Sequence, residues 1–251
     1  MTQQVPWLAQ AARMTDFPVV EVDGWRGRGH GGMDTLEGVV LHHTAGPATG
    51  DYPSLRVVRD GRPGLAGPLA QLGLARSGTI FVIAAGLSYH AGASAWAGFT
   101  GLNRRFLGVE AESTGRGDWT PAQLDAYPRL VAALLHYMRR PAGRAAAHRE
   151  VARPPGRKID PVGIDMPAFR ARVAEMLADP TRRIPRLTEQ KENTVADAQE
   201  IAKAVWNHPV RNTFGDVVQA HQILVAAEQR VADVQARLAA LEQRLTPTDN
   251  P

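Results

Sequence analysis

The stretch Gly38-Val39-Val40-Leu41-His42-His43-Thr44-Ala45-Gly46 constrains the fold more than any other. A short apolar run closed by a breaker reads as a buried strand. Polar residues just past such a strand sit at a sheet edge, where sites are usually built. Much later come Ala147-His148-Arg149-Glu150 and Pro154-Pro155-Gly156-Arg157-Lys158-Ile159-Asp160-Pro161. The two stretches together offer imidazoles, a carboxylate and a lysine.

Two imidazole nitrogens, one carboxylate oxygen and an open position are the donor set of a catalytic zinc site. The open position holds the water to be activated. The alternative is a set of ordinary surface histidines. On residue types alone the two readings stand side by side.

Composition narrows the class. The 251 residues hold no cysteine, which excludes a disulfide framework and a thiolate metal site. A net charge of +4 fits a partner such as an anionic wall polymer, and fits a solvated surface equally. No clustered basic stripe points to nucleic acid. Residues 1–7 lack the basic and apolar regions of a secretory signal, and no apolar run is long enough to span a bilayer. The expectation is a chain made in a cytoplasm, with no membrane insertion.

The order of elements predicts an α/β fold: a central mixed sheet flanked by helices. Residues 1–33 read as a lead-in segment, with an edge strand over 17–22 and a glycine-rich loop in which His30 reads as solvated. A helical turn is predicted at 54–58, a hairpin over 67–83, and a strand over 107–112 that puts Glu110 and Glu112 on one face. Thr120-Pro121-Ala122-Gln123 carries the signature of a helix start. Leu124, Tyr127, Leu130, Val131, Leu134, Leu135 and Met138 then follow as a core stripe. Pro128 should kink or break that helix. A closing helix over 167–177 has Asp165 as its cap. Residues 1–178 thus read as one catalytic domain and 179–187 as a linker. Residues 188–251 read as a helical C-terminal region. There, Val217, Leu224, Val231, Leu238 and Leu245 alternate with Ala220, Ala227, Val234 and Leu241. That heptad pattern predicts a coiled coil at about 217–245 and a possible homo-oligomer.

Five ordered motifs resemble the zinc-dependent N-acetylmuramoyl-L-alanine amidases, the type 2 family related to peptidoglycan recognition proteins. They are Val39 to Gly46; Gly67-Pro68-Leu69-Ala70-Gln71 with Ser77-Gly78-Thr79; His90-Ala91-Gly92; Gly108 to Glu112; and His148 with Gly156 to Pro161. The resemblance covers roughly residues 15–178 and is nearest to lysins of actinobacterial phages. It implies zinc held by His42, His148 and Asp160, a general base at Glu110 with Glu112 as the alternative, and an oxyanion-stabilising Lys158. It also implies groove contacts to peptidoglycan at His90, Trp96 and Glu112. Some phage relatives use a tyrosine where this chain has Ala70. The implied function is hydrolysis of the amide between N-acetylmuramic acid and L-alanine, in a phage endolysin that reaches the cell wall after a holin releases it. The alternatives are a non-catalytic peptidoglycan-binding module and a phage structural protein.

Overall fold

The computed structural model describes residues 4–178 and two short strands further on. The chain divides into two compact units, residues 1–187 and 188–251.

In the first unit the strands are β1 (Val19–Glu21), β2 (Gly38–His43), β3 (Gly61–Arg62), β4 (Leu65–Ala66), β5 (Leu72–Leu74), β6 (Ile80–Val82), β7 (Ala95–Trp96), β8 (Phe99–Thr100), β9 (Phe106–Ala111) and β10 (Ala145–Ala147). The helices are α1 (Leu8–Arg13), α2 (Leu55–Asp60), α3 (Pro121–Met138), α4 (His148–Val151) and α5 (Met166–Ala178). Six strands form one sheet in the order β1-β6-β5-β9-β2-β10. Only the β5–β6 hairpin is antiparallel; the other four pairings are parallel. The mixed sheet of the sequence reading is therefore present, and β5, β9, β2 and β10 all point the same way.

Strand alternation gives the sheet two different faces. Leu41, Leu72, Leu74, Leu107 and Val109 face the main core, with Tyr127, Leu130 and Leu134 of α3 and Phe169 and Val173 of α5. Each such side chain contributes about 1.5–3 kcal/mol by leaving water. The opposite face carries two smaller clusters, around Phe106 and around Tyr52. Between them it stays open enough for polar side chains.

α3 begins as its sequence demands. Thr120 accepts from the Gln123 amide and Gln123 reaches back to the Thr120 amide, closing a capping box. Of the two outcomes expected at Pro128, a break does not occur: the helix runs through it, because packing against the sheet and α5 outweighs the lost hydrogen bond. One expectation about α3 fails. Leu124, placed in the core stripe, is exposed, and Gln123 and Asp125 on either side of it take the buried positions instead. The lead-in segment also holds a helix, α1, whose Leu8, Ala9, Ala11 and Ala12 are buried. Asp165 caps α5 by accepting from the Ala168 amide.

In the second unit, β11 (Pro209–Arg211) pairs antiparallel with β12 (Val217–Gln219). The heptad pattern starts at Val217, and its first three residues are strand instead. The rest of the predicted coiled coil, and the helical pattern over 188–207, lie outside the described residues. No described helix is long and apolar enough to cross a membrane.

Candidate metal centre and groove

Register brings the site together. β2 and β9 pair with His42 opposite Glu110. β2 and β10 pair with Leu41 opposite Ala147, so the next residue, His148, stands level with His42. All three strands are parallel, so these groups meet at one edge of the sheet. Asp160 arrives from the loop after α4. Its carbonyl accepts from the Arg149 amide at 2.9 Å, and the Arg149 guanidinium donates to the Pro161 and Ile164 carbonyls.

His42 Nδ1, His148 Nδ1 and Asp160 Oδ2 form a triangle with sides of 3.0, 3.0 and 3.1 Å. All three residues are buried. Their partners decide where the protons are. A backbone carbonyl only accepts, so His90 Nε2, 3.0 Å from the Phe106 oxygen, carries hydrogen. His90 Nδ1 must then accept from His42 Nε2, 3.1 Å away. His148 Nε2 likewise donates to the Ala91 carbonyl at 3.3 Å. Both ligand histidines are left with an Nδ1 lone pair aimed at Asp160. Burial pushes His42 down to about 4, against the pull of Asp160, and holds His90 well below the usual imidazole range. Burial alone would raise Asp160, but its contacts to His148 and His42 hold it below the usual carboxylate range.

Three converging acceptors repel one another unless a cation lies among them. Three corners of a tetrahedral zinc shell of about 2.0–2.1 Å radius are roughly 3.3 Å apart. The donor set and its spacing therefore fit a zinc ion, and the outward nitrogens are already fixed by hydrogen bonds, as metal-ligating histidines require.

Glu110 stands beside this triangle, with Oε1 4.0 Å from His42 Nδ1. Its Oε2 is buried with no partner among the described residues. Burial first, then the charge of Asp160, raises its pKa to about 8, with Lys158 opposing. The Tyr52 hydroxyl donates to the Glu110 carbonyl at 3.0 Å. Glycines allow these approaches: a Cβ on Gly73 would lie 2.2 Å from the Tyr52 oxygen, and one on Gly108 would lie 2.6 Å from the His90 ring.

A groove of about 850 Å³ opens over the triangle. Glu110, His148 and Asp160 line its floor, Lys158 and Ile159 come from the ligand loop, and Val57 and Leu65 come from α2 and β4. Lys158 is exposed, and Ile159 presents 65% of its surface.

Several predicted contacts land elsewhere. Glu112 is fully buried and accepts from Thr44 Oγ1, the Ser54 amide and Ser54 Oγ. It ties β9 to the start of α2 and is not among the groove-lining residues. Trp96 lies on the β7–β8 ribbon, where its indole N–H donates to the Gly143 carbonyl and its ring faces Arg170. It is not among the groove-lining residues. His90 touches the groove but is 7% exposed and supports His42 instead. His43 faces away from His42, and its Nδ1 accepts from the Val162 amide at 3.1 Å, pinning the ligand loop.

Sequence reasoning missed Tyr127. Its hydroxyl crosses the sheet to accept from the His42 amide at 3.0 Å and lies 2.9 Å from the Val109 carbonyl. Its helical spacing gave only a core assignment, and no local signal marks the hydroxyl.

The N-acetylmuramoyl-L-alanine amidase family matches residues 32–163, more than half of the chain, and that span holds every residue of the triangle. The chain belongs to this family. The amidase also resembles solved structures in outline. An AmpD derivative is 23% identical, with a TM-score of 0.47, over 62% of this chain and 93% of that one. AmiD from E. coli, solved with anhydro-N-acetylmuramic acid-L-Ala-D-gamma-Glu-L-Lys, is 22% identical, with a TM-score of 0.46, over 61% and 65%. The endolysin LysCS from Clostridium intestinale is 17% identical, with a TM-score of 0.45, over 62% and 94%. No curated protein sequence matches significantly.

Proposed function

We propose that this amidase is a zinc hydrolase that cuts the bond between the lactyl group of N-acetylmuramic acid and L-alanine of the stem peptide. The triangle of His42, His148 and Asp160 supports this most directly, because its hydrogen-bond partners leave three lone pairs converging. Bound zinc would acidify a water molecule and polarise the scissile carbonyl.

The chain's own groups carry the rest. Glu110 takes a proton from the attacking water and passes it to the leaving nitrogen of L-alanine. Its raised pKa suits a group that must both accept and release a proton near neutral pH. Lys158 sets its ammonium against the oxygen that becomes negative as the carbonyl is attacked. His90 and the Ala91 carbonyl hold the two ligand histidines in one tautomer, and Tyr127 fixes the backbone of His42 from the other side of the sheet.

Residues 1–178 form the catalytic domain and 188–251 a separate region suited to self-association. The organism-level role is lysis of a host wall by a phage endolysin, with actinobacterial phages as the nearest resemblance. The test is mass-spectrometric analysis of purified peptidoglycan after digestion. Free stem peptides beginning with L-alanine, and glycan strands stripped of peptide, are expected. Muropeptides still carrying their peptides would overturn the reading.

A further inference from the structure

A second cavity, of about 310 Å³, adjoins the groove. His30, Leu87, Tyr89, Gly101, Asn103 and Arg104 line it. Tyr89 belongs to both cavities, so they meet at its ring.

His30 is held firmly rather than solvated. Its amide donates to the Leu87 carbonyl at 2.8 Å, and Leu87 donates back to Gly31 at 2.9 Å. Gly29 makes this docking possible, since a Cβ there would lie 2.5 Å from the Gly86 Cα. The imidazole stacks on Tyr89, with centroids 3.8 Å apart and planes 8° apart. Tyr89 is nevertheless 43% exposed. A large aromatic surface is thus fixed in place and left open.

The polar groups around it ask for a neutral, hydroxyl-bearing ligand. His30 Nε2 is buried and has no partner among the described residues, which costs free energy until something fills the role. Asn103 uses its Oδ1 on the His90 and Ala91 amides, at 3.0 and 2.7 Å, and its amide nitrogen has no protein partner among the described residues. Arg104 is already neutralised by two hydrogen bonds to Asp34, at 3.2 and 3.1 Å. An anion would have to compete with Asp34 for that guanidinium. A ring with an apolar face and several hydroxyl or amide groups would not.

We propose that this cavity is a saccharide subsite. It takes the N-acetylhexosamine next along the glycan strand to the muramoyl residue whose amide is cut. This rests on the amidase reading above. Asn103 gives the subsite a link to the metal centre, because the two amides it holds belong to the residues that orient His42 and His148.

The test uses the full-length protein and three ligands: peptide-free GlcNAc–MurNAc disaccharide, GlcNAc–MurNAc-tetrapeptide, and MurNAc-tetrapeptide. Titration with the peptide-free disaccharide should shift the NMR signals of His30 and Tyr89. His30→Ala should lower kcat/KM for the disaccharide substrate by about three- to tenfold, the effect of one neutral hydrogen bond. The change on MurNAc-tetrapeptide should stay within about twofold. His30→Gln, which restores a polar partner, should recover part of the loss. Equal losses on both substrates, or no loss on either, would overturn the subsite, as would disaccharide shifts that miss His30 and Tyr89. If the wild type cuts neither substrate yet the disaccharide still shifts those signals, the amidase reading fails and the saccharide site stands.

Discussion

Two parts of the site are held in different ways. His42 and Glu110 stand on paired parallel strands, and His148 directly follows the last residue of a third, so a one-residue slip in the pairing would misplace each side chain. Asp160 and Lys158 stand on a loop after α4 that pairs with no described strand and is held by side chains: Arg149, the His43 and Trp119 hydrogen bonds to Val162, and Arg157 on the Arg153, Ala91 and Ala93 carbonyls. The strand part has its geometry built into the core. The loop part depends on a few polar contacts. The difference predicts that strand-borne groups fail abruptly when altered, and that the loop fails by degrees.

The largest effect should come from the strand part. His148→Ala removes a ligand that nothing nearby replaces, so zinc content should fall from one equivalent to near none, and wall hydrolysis should fall by at least about 10³-fold. A comparable loss for Arg149→Ala, which leaves all ligands in place, would break the distinction between the two parts.

Glu110→Gln should lower turnover by about 10²- to 10⁴-fold, the usual weight of a positioned general base, while zinc content stays unchanged. The same variant sharpens the electrostatics. In metal-free protein burial, with the charge of Asp160 second, raises the Glu110 carboxyl from the ordinary glutamate value of 4.5 to about 8. Between those values the folded state holds the extra proton, so stability falls as pH rises through the window. Thermal melts of chelator-treated protein from pH 6.5 to 8, above the range in which the lowered imidazoles of His42 and His90 act in the opposite sense, should show that decline in the wild type and a shallower one in Glu110→Gln.

Smaller effects separate support from ligation. His90→Ala frees the Nε2 side of His42 and should weaken zinc binding by about 10- to 100-fold, as loss of an orienting partner does. Arg149→Ala should fall at or below the low end of that range, since Asp160 keeps its amide contact from residue 149. Competition with a zinc chelator measures both.

Much of this was legible in the sequence for a physical reason. An apolar run that stops at a histidine marks a strand end, and parallel strand ends gather at one edge. The run Val39-Val40-Leu41 therefore announced where His42 would stand, whereas His148 was marked by the resemblance alone, because the short strand Ala145–Ala147 before it carries no pattern of its own. Local signals also sufficed at Thr120 and Asp165, where a cap is a matter of neighbouring residues. What stayed hidden depends on contacts between distant segments. Glu112 shares its face with Glu110, but only the fold shows that Ser54 and Thr44 cover it. Trp96 follows the His90 motif closely, yet a ribbon carries it toward Gly143. His30 sits among glycines that suggest a mobile loop, and the same glycines instead let that loop dock against Gly86 and Leu87. Tyr127 falls on a helical core stripe, and only the depth of the sheet brings its hydroxyl to His42.

The central claim is that His42, His148 and Asp160 form one zinc site. X-ray absorption on the zinc-loaded protein tests it most directly. One zinc per chain, with two imidazole nitrogens and a carboxylate oxygen in its shell, and near-complete loss of zinc in His148→Ala, is the expected result. A shell of water and scattered oxygens that His148→Ala leaves unchanged would contradict it.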